Sequence, residues 1–383
     1  MDHIDETLKL LLEIAVGAGA SDLHMSVGRP PTARRDGSLV PFENVPLLTP
    51  EDTERMVMSV LNDTLKAELD AHQQVDFSFG VEDLGRFRAN AFLQRGTYAL
   101  ALRVIPFRVR SLEELGAPWA ATELLNRPYG LVLVVGPTGS GKSTTLAAMI
   151  DRINETRPVH ILTIEDPIEY LHNHKMAMVN QREVGGDVHS FTDGLKSALR
   201  EDPDVILLGE MRDLDSISIT LTLAETGHLV FATLHTNDAS QALDRIVDVF
   251  PSERRDQIQI MLAGTLQGVI SQRLLPAESG GRVAAYEVLM GNDAVRNLLR
   301  EGKTRQLRNT IISGQQEGMQ TIEMDLARLV TSGIITYETA AAASQYPKDI
   351  LAQANTQRSQ AMAQATVAGG QAPSTGSGTL VNA

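Results

Sequence analysis

Gly136-Pro137-Thr138-Gly139-Ser140-Gly141-Lys142-Ser143, followed by Thr144, is the stretch whose residue types and spacing most directly imply chemistry: it fits the phosphate-loop pattern GxxxxGK[ST]. Glycines let a main chain fold around an anion and aim its N–H groups inward, and a helix starting at the loop adds positive potential. On that reading Lys142 reaches the β- and γ-phosphates of a nucleoside triphosphate, and the Ser143 hydroxyl is a ligand for Mg²⁺. Hydrolysis asks for further groups. Glu165 follows the apolar run Ile161–Ile164, Glu210 follows Val205–Leu208 across Gly209, and His235 follows Leu229–Thr233 across Leu234. Carboxylates placed there can orient or deprotonate water and stand near the metal ion, and the histidine can report loss of phosphate. Two neighbours carry plainer alternatives. Asp213 suits the start of a helix as well as a phosphate site, and His228, after Thr226-Gly227, suits a helix C-terminus, where a cation is favoured.

Such residues need a frame that presents them at one edge. Leu131–Val135 before the loop reads as a buried parallel strand, and Leu146, Met149, Ile150 and Ile153 after it recur at helical spacing. The four β-runs from Leu131 to Thr233 alternate with helical stretches, which predicts a doubly wound parallel sheet with ligands beyond the carboxyl ends of its strands. Upstream, residues 5–18 read as helix, Arg35-Asp36-Gly37-Ser38 as a hairpin turn, 50–72 as helix, and Val75 to Ile105 as alternating strand. The predicted organisation is an α+β domain over 1–105, a linker over 106–128, an α/β nucleotide-binding core over 129–290, a helical region over 291–350, and a disordered tail over 351–383 rich in Gln, Ala, Ser, Thr and Gly.

The chain has 383 residues and a formal net charge of −14, a poor match to a protein that grips a long nucleic-acid track. It contains no cysteine, which excludes disulfides and thiolate-held metals. No apolar run approaches the ~20 residues of a membrane span, and the opening residues lack the layout of a signal peptide. The expectation is a cytoplasmic protein without direct membrane insertion.

Four segments carry a resemblance. Gly136–Thr144, Ile164-Glu165-Asp166-Pro167-Ile168-Glu169, Arg200-Glu201-Asp202-Pro203-Asp204 through Gly209-Glu210-Met211-Arg212-Asp213, and Thr226-Gly227-His228 through Thr233-Leu234-His235-Thr236 resemble the Walker A, Asp box, atypical Walker B and His box of the bacterial type II/type IV secretion ATPases. The Walker B run ends in Glu210, while Asp204 precedes it, at the wrong end for the metal. Ala20-Ser21-Asp22-Leu23-His24 and Asp293-Ala294-Val295-Arg296-Asn297-Leu298-Leu299-Arg300-Glu301 extend the resemblance to the PilT-type, type IV pilus retraction branch, with Val and Leu where Ile is more familiar. Tyr129 departs from it, where a polar or basic residue is usual.

The resemblance implies an N-terminal PAS-like domain, a RecA-like P-loop domain with a C-terminal helical region, and a homohexameric ring that hydrolyses ATP with Mg²⁺. It implies Glu165 as the catalytic carboxylate and Glu210 as the Walker B acid, holding the metal through water. His228 and His235 would couple the nucleotide to the subunit boundary. Arg103, with Arg88 and Arg86 behind it, would neutralise phosphate charge. The implied partners are an inner-membrane pilus platform protein and a paralogous retraction ATPase, at the cytoplasmic base of the pilus. Three other readings stand beside it: an accessory paralogue, a pilus assembly ATPase (a branch that commonly carries a tetracysteine site, which this chain cannot build), and a RecA-like nucleic-acid motor.

Overall fold

The computed structural model describes residues 4–35, 37–82, 84–105 and 108–356. The chain divides into two compact units, Met1–Val109 with Asp166–Asn173, and Arg110–Glu165 with His174–Ala383.

The first unit is a six-stranded antiparallel sheet with helices against it. Its elements are α1 (Glu6–Gly17), β1 (Asp22–Met25), β2 (Thr32–Arg35), β3 (Ser38–Pro41), α2 (Pro50–Val60), α3 (Asp63–His72), β4 (Gln74–Val81), β5 (Gly85–Gln94) and β6 (Thr97–Ile105). The strands lie in the order β3-β2-β1-β6-β5-β4. Leu8, Leu11, Leu12 and Ala15 of α1 are all buried, as their spacing requires. In β4 the buried residues are Val75, Phe77, Phe79 and Val81, a strict period of two. The helix expected over 50–72 is two helices: Leu61 leaves the helical region, and the Asn62 side chain accepts the Leu65 N–H to start α3 afresh. The hairpin between β2 and β3 forms with Arg35 opposite Ser38, while Asp36 of its turn lies outside the described residues.

The second unit contains α4 (Trp119–Leu124), β7 (Gly130–Val135), α5 (Lys142–Thr156), β8 (His160–Glu165), β9 (Met178–Glu183), α6 (Phe191–Ala198), β10 (Val205–Leu208), α7 (Leu214–Glu225), β11 (Leu229–Leu234), α8 (Ala239–Asp248), α9 (Ser252–Thr265), β12 (Leu266–Pro276) and β13 (Arg282–Met290). After them come α10 (Asp293–Arg300), α11 (Leu307–Ser313), α12 (Ile322–Thr331) and α13 (Tyr337–Ala342). The sheet order is β13-β12-β7-β11-β10-β8-β9. All neighbours run parallel except β13, which returns antiparallel to β12. Every residue of β7, β10 and β11 is buried, as expected of strands covered by helices on both faces. This is the predicted α/β core, widened by three strands that the apolar runs did not announce. β12 is interrupted by Gln267, Ser271, Gln272 and Arg273, so its pattern is not that of a buried run. Pro106, at the head of the expected linker, lies outside the described residues, and within 108–128 Leu112 and α4 are packed rather than loose. Residues 351–356, expected to belong to a disordered tail, are instead part of a helix over 347–356, with Ile350 and Ala354 buried against Leu326, Ala327 and Leu329. Positions 357–383 lie outside the described residues.

Candidate functional site

The loop leaves β7 at Gly136 and enters α5 at Lys142, and the tertiary fold dictates where its glycines stand. A Cβ on Gly136 would sit 2.4 Å from the Gln272 carbonyl oxygen and 2.6 Å from Ser140 Oγ. Gly141 is the N-cap of α5 at φ 89°, with no side-chain hydrogen bond onto the helix start. The first turn of α5 therefore keeps N–H groups for an anion, in a cradle a Cβ would fill. Ser140 Oγ is buried without a hydrogen-bond partner, which a phosphate oxygen would supply. These observations fit a bound nucleoside phosphate. Lys142 is buried, and its ammonium donates to the carbonyls of Gly136 at 2.8 Å and Pro137 at 3.1 Å. The loop tip, Pro137–Gly139, is exposed and borders an open cleft of about 430 Å³ shared with Arg273, Ser344 and Gln345.

Parallel pairing brings the ends of β8, β10 and β11 to the edge where the loop begins. His235, just past β11, has Nδ1 3.4 Å from both Lys142 Nζ and Thr138 Oγ1, and Nε2 3.3 Å from Glu210 Oε1. Lysine and threonine can both donate to Nδ1, so the neutral ring carries its proton on Nε2 and offers it to Glu210. The other Glu210 oxygen accepts from Arg212 Nε at 2.7 Å. Loop, histidine and carboxylate thus form one chain of contacts. Arg212 is a partner that sequence reading did not single out, although it stands two residues after Glu210.

Glu165 ends β8, at the same edge but three strands from β7, about 14 Å away across the sheet. Its Oε1 accepts from Thr163 Oγ1 at 2.7 Å and Gln181 Nε2 at 3.2 Å. Gly209 packs against it so closely that a Cβ there would lie 3.3 Å from Glu165 Cα. His228 is not brought into this group. It precedes β11, roughly 20 Å along the strand from His235, with Nδ1 2.9 Å from the Leu223 carbonyl at the end of α7. Asp213 caps α7, accepting the Ser216 N–H at 2.8 Å, and Asp204 binds the His160 N–H at the amino edge. Ser143 and Thr144 occupy the first turn of α5.

In the first unit, Arg103 stands on β6 with its side chain exposed and its Nε donating to Asp22 Oδ1 at 2.9 Å. Strand register places Arg34, Asp22, Arg103 and Arg88 in one row across β2, β1, β6 and β5. Like charges directly opposite each other, as at Arg88 and Arg103, are unfavourable in themselves, so the row concentrates positive charge with only Asp22 to offset it. Burial works against the Asp22 charge, but hydrogen bonds from Ser21 and Arg103 hold its carboxyl below the usual range. Arg86 turns to Ser78 Oγ at 2.6 Å. Among the described residues no cluster of three or more His, Cys, Asp or Glu could hold a metal unaided, and no helix is long and apolar enough to cross a membrane.

Comparison with known proteins sharpens these observations. The family model described as "Type II/IV secretion system protein" matches residues 3–357. A Pseudomonas aeruginosa protein named Type IV pilus retractation ATPase PilT is 48% identical over 339 residues, covering 88% of this chain and 98% of that one. The Type IV pilus ATPase PilU of the same organism is 40% identical over 341 residues, 89% of each. A solved structure, the pilus retraction motor PilT with bound ADP, is 51% identical and superposes with a TM-score of 0.84, covering 89% of this chain and 98% of that chain.

Proposed function

From the premise that this chain belongs to the type II/IV secretion ATPase family, we propose that it is the ATP-hydrolysing motor of type IV pilus retraction and twitching motility. The observation that carries the proposal is the contact chain Lys142–His235–Glu210, which ties the phosphate loop to the strand ending in the atypical acid. In the proposed cycle, the loop N–H groups and Lys142 bind the β- and γ-phosphates. Glu165 orients or deprotonates a water for attack on the γ-phosphorus, and the bond to the ADP oxygen breaks with its electron pair leaving on ADP. His235 lies between the loop and Glu210, so phosphate loss at Lys142 changes what His235 can bond. Mg²⁺, held by the Ser143 hydroxyl and through water by Glu210, would neutralise developing phosphate charge. Arg103 and Arg88 would neutralise phosphate charge, and His228 would act at the boundary with a neighbouring subunit.

The same reading has the chain working as a homohexamer, in the cytoplasm at the pilus base, against a platform protein in the inner membrane. A paralogous retraction ATPase would be a further partner. Steady-state ATPase assays of wild type and Glu210→Gln, with mass photometry for assembly state, test it. A Mg²⁺-dependent hexamer whose turnover collapses in the variant supports the motor. A folded hexamer that binds ATP without hydrolysing it points to the accessory role instead.

A further inference from the structure

Gln272 is only 2% exposed, on a strand that carries none of the recognised motifs, yet it touches both ends of the phosphate loop. Ser271 of β12 pairs with Val135, the last residue of β7, so the next residue along β12 runs beside Gly136. Its carbonyl oxygen is the atom that a Gly136 Cβ would strike at 2.4 Å, and its side-chain Nε2 is the atom that a Gly141 Cβ would strike at 2.9 Å. The main chain of one residue supports the loop's entry and the amide of the same residue its exit.

The amide is not free to turn. Its Oε1 accepts a 2.8 Å hydrogen bond from Thr145 Oγ1, in the first turn of α5 and itself 1% exposed. With the oxygen fixed on Thr145, the NH₂ end of the planar amide faces Gly141. Thr145 is also within hydrogen-bond reach of the Tyr286 phenol, which donates to the Leu115 carbonyl at 3.2 Å. Tyr286 is fully buried and stands directly opposite Gln272 on β13. Burial pushes its hydroxyl up to about 12, so it stays a neutral donor through the working pH range. Four residues from three parts of the chain thus make a buried polar link beneath the loop. Buried amides are costly unless satisfied, and a leucine or methionine would fill the same strand position without that cost.

We propose that Gln272 is a positioning residue for the phosphate loop, holding the Gly141 turn to the first turn of α5 so that Lys142 and the loop N–H groups converge on phosphate. This rests on the reading of residues 136–144 as a phosphate loop. A group that shapes the loop acts on ground-state and transition-state phosphate alike, so its loss raises KM for ATP more than it lowers kcat.

The test is ADP binding by the full chain, followed with a fluorescent ADP analogue, beside kcat and KM for ATP and the melting temperature without nucleotide. Gln272→Met and Thr145→Val should each weaken ADP about tenfold, the size of one lost buried hydrogen bond. The double variant should be no weaker than either single one, because both changes cut the same link. Thr145→Ser, which keeps the hydroxyl, should restore binding to within twofold of wild type. If the Met and Val variants melt earlier yet bind ADP within twofold of wild type, Gln272 serves stability alone and the proposal falls. If Gln272→Met does not fold, the Thr145 Val and Ser pair decides the matter by the same criterion. A wild-type chain that fails to bind ADP would overturn the phosphate-loop reading itself and this proposal with it.

Discussion

Replacing Glu287 by Gln should remove a pH dependence that one buried carboxyl imposes on the second unit. Glu287 is 7% exposed on β13, and its Oε1 accepts the Ala239 N–H at the start of α8 at 2.9 Å. The Arg308 guanidinium, whose charge acts on Glu287, is already committed to Glu323 and Asp349 at 2.8 Å each. Burial, with the Asp238 and Glu323 carboxylates adding to it, pushes the Glu287 carboxyl from 4.5 up to about 7, against a smaller opposing effect of the Ala239 hydrogen bond. The folded chain therefore holds this proton more tightly than the unfolded chain does. Its contribution is fully present below about 4.5 and is lost as pH rises through about 7. At 1.36 kcal/mol per pH unit the loss amounts to roughly 3 kcal/mol. Gln keeps the carbonyl that accepts from Ala239 and has no proton to lose. Urea denaturation of wild type and Glu287→Gln between pH 5 and pH 9, followed by a probe in the second unit, isolates the effect, because every other titrating group cancels in the difference. The variant should gain stability over wild type as pH rises, levelling off above pH 8. Parallel profiles across that range would refute the assignment of the shifted proton to Glu287.

Other expectations are more local. Gly136→Ala should abolish nucleotide binding while leaving the chain folded, since its Cβ would meet the Gln272 carbonyl at 2.4 Å and force the loop off β12; isothermal titration with ADP measures it. Arg308→Ala leaves Glu323, 1% exposed, with only the Ser344 hydroxyl at 2.7 Å among the described residues, and removes a cation stacked 4.0 Å over Tyr346. It should cost about 2 kcal/mol in the second unit, below the ~3–5 kcal/mol of a fully buried pair because Arg308 is partly exposed; a shift in urea midpoint reads it. His228→Ala should cost about 1 kcal/mol by removing a bond to the end of α7, whereas His235→Ala should slow ATP turnover with little change in melting temperature. Equal effects of the two on melting would argue against their separation to opposite edges of the sheet.

The phosphate loop was legible because everything that defines it is contiguous: an apolar strand, glycines where a Cβ would clash, then lysine and a helix. The shared edge of Glu165, Glu210 and His235 was legible for a related reason, since a parallel sheet sends every strand's carboxyl end to one edge, and three apolar runs each followed by a polar side chain already specify that edge. The alternation in β4 and the buried stripe of α1 followed from periodicity alone. Where a segment's role depends on which strand lies beside it, the sequence is silent, because period reports which face is buried and not what covers it. Gln272 stands in no recognised motif, and its place beside the loop follows only from β12 lying against β7. Asp22 matched a motif without a role until register put it beside Arg103. His228 and His235 read as a pair in sequence, yet the length of β11 holds them at opposite edges. Local chemistry and strand ends belong to the chain; the distances among them belong to the sheet order, which only long-range pairing decides.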